Sequence, residues 1–183
     1  MSSHHIIRED QEPALVIDNS STGNSEILQQ LLEWSPTVIV TEQALDAVLS
    51  WGIKIDAVIA PEARADELKI SLQDQLPLKI LSCNTAADAL DTALHFLTAT
   101  RQKAVTVISE AALESFEKFA ALDVAVVRNG KRWVFIRTGT FEKWLPAGTS
   151  LSIYPQNANT KPVVEHDGFI HIHLDHGFWI AEG

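Results

Sequence analysis

The polarity pattern divides the chain in two. From residue 14 to about residue 121, short Val/Ile/Leu-rich runs alternate with stretches whose apolar positions recur at helical spacing. The runs are ALVID (14–18), TVIVT (37–41), DAVIA (56–60), LKILS (78–82) and AVTVIS (104–109). Continuous runs of this kind mark strands buried on both faces. Between them the spacing predicts helices over 27–34, 42–51, 63–72, 85–100 and 110–120. The second helix stops at Gly52, a natural C-terminal cap, and Pro61 ends the third strand. The fourth helix carries Ala86, Leu90, Ala93, Leu94 and Leu97 on one side. Strands alternating with helices predict an α/β fold. We expect a Rossmann-like three-layer α/β/α domain with a mainly parallel sheet over residues 13–121.

The pattern changes near Leu122. DVAVVRNGKRWVFIRTG holds two strand runs around Asn129-Gly130, a strong hairpin signal. TSLSIYP (149–155) and FIHIHLDHGFWIAE (169–182) follow, with no helical period. Residues 122–183 are therefore expected to form a small antiparallel β-sandwich. It is too small to hold a large core alone, so it should pack on the first domain or on a second copy. Residues 1–12 read as a flexible N-terminal arm.

Composition narrows the class. The 183 residues suffice for one medium domain or two small ones, and 46% apolar content supports a real core. A formal charge of −10 argues against a nucleic-acid partner, which normally meets a basic patch. The single cysteine, Cys83, rules out an internal disulfide and fits a reducing compartment. MSSHHIIREDQEP has no apolar core long enough for a signal peptide, and no window approaches the ~20 apolar residues of a membrane span. These readings predict a cytoplasmic protein with no membrane partner.

TVIVTEQALDAVLSWGIKIDAVIA (37–60), with its WGIKID turn, resembles the thiamine pyrophosphokinase family. The family pattern there is a strand, Asp-x-Gly, a helix, Gly-Ile-x-Pro-Asp and a strand. ALHFLTATRQKAVTVIS (93–109) and LSIYP (151–155) are similar to the family's helix-strand unit and to a strand of its sandwich. The resemblance covers most of residues 14–183 and lies mainly in scaffold positions. It implies conversion of ATP and thiamine to AMP and thiamine diphosphate, with Mg²⁺ and ATP as cofactors and a homodimer as the assembly. A second reading, from a different class, is a non-catalytic ligand-binding or structural protein on the same scaffold.

The chemistry transfers poorly. The family's Asp-x-Gly falls on Glu42-Gln43-Ala44, and its Gly-Asp-Phe-Asp-Ser loop on Ala60-Pro61-Glu62-Ala63-Arg64, without either aspartate. Its Asp-x-Thr-Asp stretch falls on 84–91, where Asp88 and Asp91 are the acids. Its Gly-Gly-Arg-x-Asp-His segment has no counterpart in 110–114. Mg²⁺ is commonly anchored by one or two carboxylates, and a misplacement of about 1 Å can cost ~100-fold in rate. By resemblance Glu42 and Asp91 would be catalytic, and Glu42, Asp46 and Asp91 would hold the metal. Asn19, Ser20, Gln43, Asp46 and Asp88 would hold the nucleotide, and Trp179 would stack on thiamine.

Each candidate has a plainer alternative. Glu42 and Asp46 share a helix face and are also favourable charges in a first helical turn. The loop DNSSTGNSE (18–26) could present backbone N–H groups to a phosphate, or be an ordinary capped helix start. In FIHIHLDHGFW, Ile170, Ile172 and Leu174 alternate with His171, His173 and Asp175. The polar face, with Glu165, His166 or His176 nearby, is either a metal site or the wet side of a strand. Trp179 is either a stacking platform or a core residue. Cys83, after a buried strand, reads as packing.

Overall fold

The computed structural model describes residues 13–19, 26–155 and 163–183. Expected residues 1–12 and Ser20 lie outside that set. Each apolar run forms a strand: β1 Ala14–Ile17, β2 Val38–Thr41, β3 Ala57–Pro61, β4 Lys79–Cys83 and β5 Ala104–Ile108. Four helices connect them: α1 Glu26–Leu32, α2 Glu42–Ser50, α3 Ala65–Ser71 and α4 Ala89–Ala99. The rest of the chain adds β6 Asp123–Arg128, β7 Lys131–Ile136, β8 Thr140–Leu145, β9 Leu151–Tyr154, β10 Gly168–His173 and β11 Phe178–Glu182.

One sheet runs through most of the molecule in the order β4-β3-β2-β1-β5-β6-β7-β11-β9. Strands β1 to β6 pair in parallel, and β7, β11 and β9 continue the same sheet antiparallel. The fold is thus mixed α/β, with a large mainly parallel sheet and antiparallel strands. β6 joins the parallel ladder by pairing with β5, from Ala104↔Asp123 to Ile108↔Val127. Its VAVV run is buried throughout, the same signature as β1, β2, β3 and β5, whereas β4 at the sheet edge is only partly buried.

Period-two alternation puts opposite residues of each strand into different cores. Leu15, Ile17, Val40 and Val58 meet Leu28, Leu45, Val48 and Leu68 of α1, α2 and α3. Val16, Ile39, Ile59 and Val107 meet Leu90, Ala93, Leu94 and Leu97 of α4 on the other face. Ala86 is not part of that stripe; it sits exposed in a short 3-10 turn over Ala86–Asp88, and Ala89 is buried instead. Thr85 and Asp88 close a capping box there, which starts the helix later than the apolar spacing suggests.

The expected helix over 110–120 is corrected to a single 3-10 turn, Leu113–Phe116. Leu113, Phe116, Phe119 and Leu122 are all buried. They recur every three residues, the period of a 3-10 turn rather than an α-helix. This segment lies against Trp179 in the α4-side core.

The β6–β7 hairpin turns on two residues, with Arg128 paired to Lys131 and Asn129 and Gly130 both at positive φ. That is the twist-matched two-residue turn the Asn-Gly pair favours. The run 169–182 is two strands rather than one. β10 pairs with β8, and β11 lies between β7 and β9. The β8–β10 ribbon covers Ile136, Phe178 and Ile180 with Phe141, Leu145, Ile170 and Ile172. Gly139, at φ +69, lets this ribbon close: any Cβ there would collide with the Leu174 carbonyl oxygen.

Candidate functional site

Ligands of open α/β sheets bind beyond the C-terminal ends of the strands, where the strand order reverses. Here the chain fills β1 to β4 in one direction and then crosses to β5 on the other side of β1. The crevice is therefore expected between the ends of β1 and β5, which lead to Asp18 and Ser109.

Those two residues bridge it. Ser109 Oγ donates to Asp18 Oδ2 at 2.7 Å, and Gln43 Nε2 donates to Asp18 Oδ1 at 2.8 Å. Thr41 Oγ1 donates to the Asp18 carbonyl at 3.0 Å, and Ala111 N–H donates to Ser109 Oγ at 3.1 Å. Asp18 N–H also donates to the Ile108 carbonyl at 2.9 Å. Asp18 is 9% exposed and Ser109 1%, so this network is internal. Asn19 follows it, its N–H 3.4 Å from the same Ile108 carbonyl. Of the expected nucleotide-binding residues, Gln43 is joined to this knot by its amide.

The acids around the mouth have partners of their own. Glu42, in the first turn of α2, accepts from Arg64 Nε at 2.6 Å. Arg64 reaches on to Glu67. The hydrogen bond to Glu42 and then the charge of Glu67 raise the guanidinium above its ordinary value. Asp91 accepts from Lys118 Nζ at 2.5 Å. Asp88 Oδ2 accepts from Thr85 Oγ1 at 2.8 Å and from Thr85 N–H at 3.2 Å. Asp46 and Glu62 stay exposed on α2 and after β3. Among the described residues, no three His, Cys, Asp or Glu side chains gather as a metal-ligand set. The structure thus holds Glu42 and Asp91 in separate ion pairs and leaves Asp46 exposed on α2.

Cys83 is buried at the end of β4, and burial, then the charges of Asp88 and Glu42, push its thiol pKa up. Trp179 is 1% exposed. Its ring lies 5.1 Å from Phe135 and 6.2 Å from Phe116, and Nε1 donates to Glu117 at 3.2 Å. With that burial it offers no open face for a ligand ring. On β10, Ile172 is buried while His171 and His173 are exposed. His171 lies 3.4 Å from Glu142, and His173 Nδ1 lies 3.0 Å from Thr140 Oγ1.

Sequence reasoning missed three of these residues. Arg64 stands plainly in the loop after β3, but a search for metal ligands looks past a cation. Lys118 was hidden by the helix expected over its segment. Ser109 closes the fifth apolar run, and its link to Asp18 spans 91 residues of sequence.

No family model matches the chain, and no curated protein sequence does. Solved structures do match. Thiamin pyrophosphokinase from Candida albicans superposes with a TM-score of 0.61 at 6% identity, covering 95% of this chain and 90% of its own. Thiamine pyrophosphokinase from Bacillus subtilis gives 0.56 at 10% identity, over 93% of this chain and 98% of its own. A probable thiamine pyrophosphokinase from Staphylococcus saprophyticus gives 0.55 at 12% identity, over 92% and 97%. From β1 to β11, then, this chain has the thiamin pyrophosphokinase fold.

Proposed function

We propose that the chain is a thiamin pyrophosphokinase-fold protein whose pyrophosphoryl transfer is weak or absent. On this reading it serves as a non-catalytic ligand-binding or structural protein. The observation that carries this is the pair between Glu42 and Arg64. Phosphoryl-type transfer relies on positioning and on charge neutralisation, normally through Mg²⁺. Mg²⁺ needs carboxylate oxygens in near-octahedral geometry. At this mouth Glu42 faces a guanidinium, Asp91 faces an ammonium, and Asp88 caps a helical turn. That donor set does not fit Mg²⁺, and no catalytic step is routed through it.

Thiamine and a nucleotide remain the small molecules to test as ligands, and the homodimer implied by the resemblance remains part of the reading. A cytoplasmic location is also part of it. No helix among the described residues is long and apolar enough to cross a membrane.

The test is AMP and thiamine diphosphate release from purified protein given ATP, Mg²⁺ and thiamine. The expected result is no turnover from folded protein. Multiple turnovers that vanish in a Glu42→Ala, Asp91→Ala double variant would overturn the proposal. Sedimentation of the same preparation checks the dimer.

A further inference from the structure

The opposite end of the sheet carries a cleft of about 1030 Å³ that the mouth chemistry does not involve. It opens at the N-terminal ends of β2 and β3, between the last turns of α1 and α2. Leu32, Trp34, Pro36, Trp51 and Ile53 form its apolar lining, and Glu33, Lys54 and Asp56 are its charged residues. Trp34 is 66% exposed, unusual for an indole that could have packed on the nearby core.

The charge in this cleft is net negative, with the carboxylates of Glu33 and Asp56 against the ammonium of Lys54. Lys54 is tethered, its Nζ donating to the Gln75 and Leu76 carbonyls at 2.6 and 3.1 Å. Asp56 Oδ2 accepts from the Val38 N–H at 2.8 Å, which fixes the side chain without neutralising it. Among the described residues, no cation pairs with Asp56 or with Glu33. Neither α1 nor α2 has a basic residue in its last turn, so the negative ends of both helices stand uncompensated beside the cleft.

Indoles and carboxylates lining one cleft, with helix carbonyl ends beside it, are surroundings that attract a weakly hydrated organic cation. A neutral apolar ligand would use the rings but not the carboxylates, and an anion would be repelled by them. We infer that the Trp34–Trp51 cleft is a binding site for a small organic cation of the quaternary-ammonium class. It does not rest on the reading of the mouth and lies at the other end of the strands.

The test uses choline and its uncharged carbon isostere 3,3-dimethylbutanol as probes, read by the indole N–H resonances of the five tryptophans. Choline is expected to shift the Trp34 and Trp51 signals saturably, and the isostere to bind roughly tenfold more weakly. Trp34→Ala should abolish the response. Asp56→Asn keeps an oxygen for the Val38 N–H and should still weaken choline several-fold. That second variant keeps the proposal testable should Trp34→Ala perturb folding. Equal response to both probes would overturn it, leaving a merely apolar cleft. So would no saturable shift, or shifts confined to Trp133, Trp144 and Trp179.

Discussion

The two ends of the parallel strands differ in how their charges are matched. At the C-terminal mouth, Glu42 has Arg64, Asp91 has Lys118, Asp88 has Thr85, and Asp18 has Gln43 and Ser109. At the opposite end, Glu33, Asp56 and Lys54 line an open cleft together with Trp34 and Trp51. A catalytic mouth needs groups left incomplete until substrate or metal completes them. Internal completion stabilises a fold and removes that capacity. Position on the scaffold alone would put the ligand at the mouth, whereas at the other end acids and two tryptophans line one open cleft.

The contrast breaks most visibly at Trp179, which links the antiparallel strands to the segment bearing Lys118. If Trp179 is a core residue, Trp179→Ala should lower unfolding stability by about 3–5 kcal/mol. Urea denaturation should show the midpoint falling at a nearly constant slope. A small loss of stability with a large loss of thiamine binding would restore the stacking role. Asp18→Ala comes next. It removes two side-chain hydrogen bonds to an acid and strands Ser109, at about 2–3 kcal/mol. An Asp18→Ala variant of unchanged stability would mean that the knot across the ends of β1 and β5 contributes nothing to the fold.

How much of this was legible follows from the range of each interaction. The strands β1, β2, β3 and β5 were readable because double-sided burial writes itself into contiguous Val, Ile and Leu; β4, an edge strand, is only half-buried and read from its shorter Leu-Lys-Ile-Leu run. β6 carries the same VAVV signature, but its position before a hairpin assigned it to the antiparallel part. β8 escaped because Glu142, Lys143 and Trp144 are exposed, so its buried Leu145 and half-buried Phe141 do not read as a run. The segment 110–122 has helix-forming composition, and only the three-residue spacing of Leu113, Phe116, Phe119 and Leu122 marks it otherwise. At the mouth, the acids were readable singly. Their partners were not, because Glu42–Arg64 and Asp91–Lys118 are contacts that only the fold creates. The cleft was invisible for the same reason: Trp34 and Trp51 are separated by a strand and a helix.

A smaller effect sharpens the other side of the comparison. Trp34 is exposed and bordered by a turn, so Trp34→Ala should change unfolding stability by no more than about 0.5 kcal/mol. Set beside Trp179→Ala, it separates a tryptophan kept for packing from one kept for contact with something else. A large destabilisation by Trp34→Ala would show the cleft wall to be structural.

The smallest effect lies at Cys83. Burial first, and then Asp88 and Glu42, raise its thiol pKa in the folded chain. The sign of the linkage follows from which state ionises first. Below the ordinary thiol value, about 8.5, Cys83 is protonated whether folded or unfolded, and its contribution is fully present. As pH rises past that value the unfolded chain ionises first, and stability falls until the folded thiol titrates too. Relative to Cys83→Ala, the wild-type chain should therefore lose stability between pH 8 and pH 10 and track it below pH 8. Alkylation of the native thiol near pH 8 should be slow and become fast on unfolding. A thiol that instead reacts like a free one at neutral pH would mean that water reaches the end of β4. Cys83 would then be a residue that solvent reaches, and its place in the core packing beneath α4 would be wrong.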